Sequence, residues 1–368
     1  MLRMAGAHLS RRTKRTVAEV AGDVGGIQAQ VMSAAETSLG IRVEGLHVDD
    51  VRRALWQERS VVKAWTLRGT LHLHPADELP MWLAARSAVT PGINDRTLQA
   101  YGVTRKQTDA MTEAIGAALD GECLSRQELA EAVAKKVGKW ANESLMSGWG
   151  TMLGQATLRG WLCHGPPKGN SITFVRADQW IGSWKSHDSD EALRWVARRY
   201  LEIFGPVTHA AFHAWFNGPT FKVSAARRVF DQLAGELERV EVEGKPAWIL
   251  KGTSSKQIDV PSVRILPLYD CYVIGFRERE QLLTEAASAY AKQHSKGRME
   301  GPVAVQWILV DGLLAGTWAR VVKGKRAEIA ATLFKKPTKA LRAAIEQEAD
   351  HLGAFWGNEV AVSISSEA

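Results

Sequence analysis

Cysteine is scarce in this sequence: Cys123, Cys163 and Cys271 are the only three, odd in number and scattered along 368 residues. A disulfide framework or a structural zinc site needs paired or clustered ligands, so neither fits, and the three read as small core side chains. Long apolar runs are missing as well, because charged residues interrupt every stretch long enough to span a bilayer. The first nine residues hold no apolar leader before Arg11 and Arg12 arrive, and a cytoplasmic location is the expectation. No GxxxxGKS or GxxxxGKT loop, GxGxxG turn, HExxH helix or GxSxG elbow occurs, which removes the motif-based case for nucleotide hydrolysis, dinucleotide binding, zincin chemistry and serine-hydrolase chemistry. His209 and His213 stand four apart on a predicted helix but lack a third nearby ligand. Neither a metal nor an organic cofactor is expected.

Acid is in deficit too. Forty Asp and Glu face 47 Lys and Arg, and the resulting charge of +7 makes a polyanion the natural partner. Basic residues gather at Arg11, Arg12, Lys14 and Arg15, and again at Arg320, Lys323, Lys325, Arg326, Lys335 and Lys336. The length calls for two or three packed domains, and 45% hydrophobic residues suffice to fill their cores.

A structural rhythm repeats along the chain: helices, then two short strands around a turn, the order of a winged helix. The middle repeat is the clearest, with a helix over 103–119 and a capping box at Ser125-Arg-Gln-Glu128 opening a second. A third helix carries Leu145, Trp149, Met152, Leu153 and Ala156 at helical spacing. Strands over 161–163 and 171–175 follow, joined by a loop over 164–170 that fits a wing. The third repeat predicts helices from 188 to 204, from 208 until Gly218-Pro219, and over 220–233, then a hairpin around Glu243-Gly-Lys245. The first predicts helices over 11–24 and 48–58, with strands over 61–67 and 70–74. Beyond residue 260 the pattern turns to strands, with a hairpin at Asp311-Gly312 and a last helix over 338–352 closing the chain. The expected fold class is therefore α+β, with three tandem winged-helix units at 1–100, 101–187 and 188–258, and a β-rich part with a final helix at 259–368. Three such units in a basic chain point to double-stranded DNA, since recognition helix and wing each contact the duplex.

Two polar features stand out. In Gly25-Gly26-Ile27-Gln28-Ala29-Gln30 the glycines end a helix and the glutamines lie two apart, so an extended segment presents both amides on one side and turns Ala29 inward. Two amides supply donor and acceptor together and are able to hold a water, though a pair of structural loop glutamines has the same pattern. In the strand after Gly69, period two sets Arg68, Thr70, His72 and His74 on one face, with Leu71 and Leu73 toward the core.

These segments carry a resemblance. Residues 25–30 together with Leu67-Arg-Gly-Thr-Leu-His-Leu73 resemble the N-terminal unit of the AlkZ/YcaQ-like winged-helix DNA glycosylases. Collinear matches follow at Phe204-Gly-Pro-Val-Thr208 with Phe212 and Trp215, at 266–277, and at Leu309-Val-Asp-Gly312 with Gly316-Thr-Trp318. The resemblance implies tandem winged helices around a concave DNA channel, a β-rich C-terminal part, and a Gln-x-Gln catalytic signature, matched by Gln28 and Gln30. It implies hydrolysis of N-glycosidic bonds of alkylated, N7-substituted purines, bulky or crosslinking adducts included. With no lysine near the glutamine pair the expected enzyme is monofunctional, and a monomer is expected. Arg68, His72, Tyr269, Asp270 and Arg277 are further candidates for the active site or DNA contact, Asp270 and Arg277 alternatively forming a structural ion pair. The competing reading is a non-enzymatic DNA-binding regulator.

Overall fold

The structure is a computed structural model that describes residues 2–90, 92–146, 150–217, 220–253, 263–275, 277, 281–294, 304–323 and 326–366. It mixes helix and strand, and the chain divides into two compact units. One comprises Met1–Arg52, Arg199–Trp215 and Glu236–Ala368; the other comprises Arg53–Arg198 and Phe216–Gly235. Among the described residues no helix is long and apolar enough to cross a membrane.

In the first unit a five-stranded sheet runs in the order Glu359–Ser366, Arg326–Leu333, Leu313–Lys323, Trp307–Val310, Val263–Leu266. Asp311 and Gly312 turn the central hairpin with φ of 48° and 86°, the left-handed pair that the Asp-Gly signal predicts. The chain does not close on a helix. Helix Lys339–Trp356 runs four residues past its expected end, and strand Glu359–Ser366 follows it, pairing in parallel with Arg326–Leu333. A parallel neighbour needs a crossover, and this helix supplies it. Its face carrying Ile345, Leu352 and Phe355 is buried, and Gly353 leaves room for Val360 of the returning strand. The region beyond 260 also holds helices Cys271–Gly275 and Glu285–His294 where strands were expected. Trp307, Ile308, Leu314, Ile329 and Leu352 form the centre of this core with Met4 and Leu9.

A short helix, Leu2–Gly6, opens this unit, and the helix expected over 11–24 spans only Val17–Asp23. The Thr16 hydroxyl accepts the Glu19 N–H and the Glu19 carboxylate accepts the Thr16 N–H, so the capping box sets the start. Upstream, the Thr13 N–H donates to the Arg42 carbonyl and the Glu44 N–H to that of Thr13, which fixes an extended rather than helical path.

In the second unit, strands Val61–Trp65 and Leu71–Pro75 pair antiparallel, with Trp65 opposite Leu71. The first is shorter than expected because Leu67–Gly69 forms a tight 3-10 turn. Helices Arg105–Ala118 and Arg126–Val137 stand as read, the latter opened by the Ser125 capping box. The single helix expected next is two, Trp140–Met146 and Thr151–Leu158, with left-handed Gly150 before the second. Trp149 lies outside the described residues. Strand Cys163–Lys168 then pairs with Ser171–Val175, and Leu124–Ser125 adds a third short strand. The expected loop over 164–170 is thus mostly strand. Its register skips between Gly165 and Lys168, where Pro166 and Pro167 have no N–H for the ladder.

Helices Ser189–Phe204, His209–Phe216 and Val223–Gln232 precede the hairpin Leu237–Val242 with Lys245–Leu250, turned by Glu243 and Gly244. The Gly218-Pro219 break lies outside the described residues. All three cysteines are free, Cys163 and Cys271 buried and Cys123 half-buried.

Candidate active site

The Gln-x-Gln segment begins where helix Val17–Asp23 unwinds. Gly25 and Gly26 take φ of 72° and 96°, and their N–H groups close the helix end on the carbonyls of Gly22 and Ala21. Only glycine adopts that pair of conformations without strain. A Cβ on Gly25 would also stand 3.0 Å from Ile203 Cδ1 and 3.4 Å from the Trp215 ring. Trp215 is itself stacked on Tyr200 at 4.7 Å, so the glycine turn rests on an aromatic cluster built from the Phe204–Trp215 motif. Past the turn the backbone extends, and burial alternates as period two requires. Ile27 and Ala29 are buried at 1% and 0% exposure, Gln28 is half-buried, and Gln30 is exposed. The apolar pair anchors the segment, and the two amides stand on its other side. Upstream, Asp23 is held by His8 at 2.8 Å and Arg15 at 3.0 Å.

Asp270 sits in the same unit at the start of helix Cys271–Gly275, with 1% exposure. Arg42 Nη1 and Nη2 each donate to one of its oxygens at 2.8 Å, Ser38 Oγ donates at 2.8 Å and the Tyr272 N–H at 3.0 Å. Burial works against the Arg42 charge, but Asp270 and Cys271 together outweigh it and hold the guanidinium above its ordinary range. The ion pair considered for Asp270 with Arg277 is therefore made with Arg42 instead. An arginine among apolar neighbours at 39–43 is the sequence signal for such a buried pair. Tyr269, half-buried at φ 57°, turns the chain into Asp270. Arg277 is half-buried; desolvation lowers its pKa, partly offset by Tyr200. Burial likewise pushes the neighbouring Cys271 thiol up to about 12.

Part of the basic surface is already paired. Arg12 binds Glu348 at 2.7 Å, Arg15 binds Asp23, and Arg320 lies 3.8 Å over the Trp356 ring.

The second unit brings Arg68 and His72 together. Arg68, at φ 57° in the turn, places Nη2 3.3 Å from His72 Nε2. Guanidinium only donates, so Nε2 accepts and the proton sits on Nδ1, which donates to the Thr70 carbonyl at 3.1 Å. His72 is neutral: burial first, then Arg68 and His74, holds its pKa well below the ordinary range. His74 bonds Thr66 Oγ1 at 2.9 Å, packs on Trp82 at 4.6 Å, and burial lowers its pKa to about 3. The expected division into a polar face and a core face does not hold, because every residue of Leu71–Pro75 is buried. Helix Leu79–Val89 and its Trp82 cover the histidine side, so that side is an internal hydrogen-bonded line, and Arg68 is the member of the pair that reaches the surface.

The family pattern described as DNA glycosylase AlkZ-like matches residues 21–355. An interstrand DNA cross-link repair glycosylase of Streptomyces sahachiroi is 32% identical over 361 residues, covering 96% of this chain and 95% of that protein. The solved structure of the Streptomyces sahachiroi DNA glycosylase AlkZ matches with a TM-score of 0.84 at 31% identity, over 99% of this chain and 97% of the other. By sequence pattern, full-length identity and fold alike, the chain belongs to the AlkZ-like family of DNA glycosylases.

Proposed function

We propose that this glycosylase hydrolyses the N-glycosidic bond of N7-alkylated purines in double-stranded DNA, bulky and crosslinking adducts included, as a cytoplasmic monomer. The observation that carries the reading is the alternation at 27–30, which anchors Ile27 and Ala29 and leaves Gln28 and Gln30 on the opposite side. In this reading each amide offers a carbonyl that orients the attacking water and an N–H that holds it, and the same carbonyl dipoles stabilise the sugar cation. Neutral amides are weak bases, and an unmodified purine is a poor leaving group. A purine alkylated at N7 is already cationic and leaves as a neutral base, so positioning and modest charge stabilisation suffice. The named activity of the Streptomyces sahachiroi relative on interstrand cross-links supports the bulky end of this substrate range.

The helix, short strand, helices and hairpin over 105–175 support a winged-helix unit, and the hairpin at 237–250 after three helices supports another. Domain limits at 100, 187 and 258 and a concave DNA channel belong to this same reading. Arg68 serves it as a phosphate contact positioned by His72, with Tyr269 and Arg277 as further contacts and Asp270 as a support behind Tyr269.

The test is direct. The protein is incubated with duplexes carrying N7-methylguanine or uracil, released base is quantified, and parallel samples receive borohydride. Release of N7-methylguanine with uracil retained and nothing trapped supports the reading. Efficient uracil release, or a trapped covalent adduct, contradicts it.

A further inference from the structure

A cleft of about 490 Å³ opens in the second unit, within the size range of small-molecule sites. Its walls come from the Arg68 turn, the end of helix Leu79–Val89 and the start of helix Thr151–Leu158. Arg68 and Arg86 both line it, and no carboxylate does.

Arg86 is 5% exposed, donates to the backbone carbonyls of Phe216 and Asn217, and lies 5.5 Å over the Phe216 ring. Among the described residues no acid pairs with it. Burial without a counter-charge pulls its guanidinium down to about 10. Arg68 Nη2 lies 3.3 Å from His72 Nε2, so the cleft holds this second guanidinium beside its wall as well. A buried cation is normally compensated by an acid, and among the described residues this one meets carbonyl oxygens and the Phe216 ring instead.

Three further features suit a bound group. Thr90 Oγ1 is buried without a partner among the described residues. Trp65 supplies an aromatic surface at one wall. At Gly154, inside a helix where alanine is intrinsically better, nothing lies within 4 Å of the Cβ position, so the wall is left open to close approach.

We infer that this cleft binds a nucleoside monophosphate unit, its phosphate toward Arg68 and Arg86 and its nucleoside toward Trp65, either as a free nucleotide or as one residue of a DNA strand. The DNA source rests on the function proposed above; the free nucleotide does not. Planar guanidinium groups match phosphate oxygens in pairs, and an anion here restores the missing counter-charge.

Arg86 itself is a poor probe, since its carbonyl bonds support the fold. Gly154→Glu and Gly154→Gln are nearly the same size, keep the helix, and differ in charge; Thr97→Glu repeats the test from another wall. Affinities for deoxyadenosine monophosphate and for an eight-residue single strand are measured by calorimetry, after circular dichroism verifies folding. Gly154→Glu is expected to bind at least tenfold more weakly than Gly154→Gln, with Thr97→Glu weakened likewise. A loss confined to the mononucleotide assigns the free ligand, and a loss confined to the strand assigns DNA. Equal binding by the Glu and Gln variants, or no binding of either probe by the unaltered protein, overturns the inference. Neither readout involves base excision, so its failure leaves the assignment of Gln28 and Gln30 standing, and the reverse holds too.

Discussion

Arg42 and Asp270 meet as a bidentate ion pair at 2.8 Å with both side chains fully buried, joining segments 228 residues apart in sequence. Removing one partner of such a pair strands the other charge, at a cost of about 3–5 kcal/mol. Asp270→Ala is therefore expected to lower the denaturant midpoint sharply without changing base excision by the molecules that remain folded. An unaltered midpoint, or excision lost in a fully folded variant, would move Asp270 from support to chemistry.

Buried histidines predict a pH dependence of stability. His72, His74 and His164 are all held below the ordinary value near 6.5, mainly by burial, with His74 at about 3. The unfolded chain binds protons that the folded chain refuses. The stability is thus fully present above about pH 6.5 and drains away as pH falls toward the folded value. For one such histidine the loss between pH 7 and pH 5 is about 2 kcal/mol. Urea unfolding of His74→Gln at the two pH values is expected to show a smaller acid loss than the unaltered protein by that amount. Identical losses would mean that His74 titrates normally.

Gly26 has φ of 96°, where a Cβ is strained, and it lies two residues before Gln28. Gly26→Ala is expected to cost about 1–2 kcal/mol and to reduce excision by more than the lost stability explains, because the strand carrying the amides shifts. Wild-type kcat in a folded Gly26→Ala variant would show that this turn does not set the position of the pair.

Local signals were the ones that could be read directly. The capping box at Ser125 and Glu128 and the Asp311-Gly312 turn are complete within four residues, and the structure repeats them. The alternation at 27–30 is equally local. Strand Glu359–Ser366 carried a period-two signal in Val360, Val362 and Ile364, but its parallel pairing depends on a crossover that only the packed helix reveals. The burial of His72 and His74 was hidden for the same reason: Trp82, which covers His74, comes from the next helix. Arg42 stands out among apolar neighbours, but its pairing was illegible because its partner lies more than two hundred residues away and no short pattern links them.

The basic excess predicts that binding to undamaged duplex weakens steeply with salt and hardly depends on sequence. Anisotropy titrations across a salt series give the slope, about −0.9 per phosphate neutralised. A flat salt response, or strong preference for one sequence, contradicts a lesion-directed enzyme.

The central claim is that the Gln28 and Gln30 amides organise the water and the sugar cation. Single-turnover release of N7-methylguanine from duplex DNA by the unaltered protein, Gln28→Ala and Gln30→Ala measures it most directly. Each variant is expected to remain folded, to bind undamaged DNA normally since neither side chain is charged, and to excise roughly ten- to a thousandfold more slowly. Two folded variants releasing base at the unaltered rate would contradict the account.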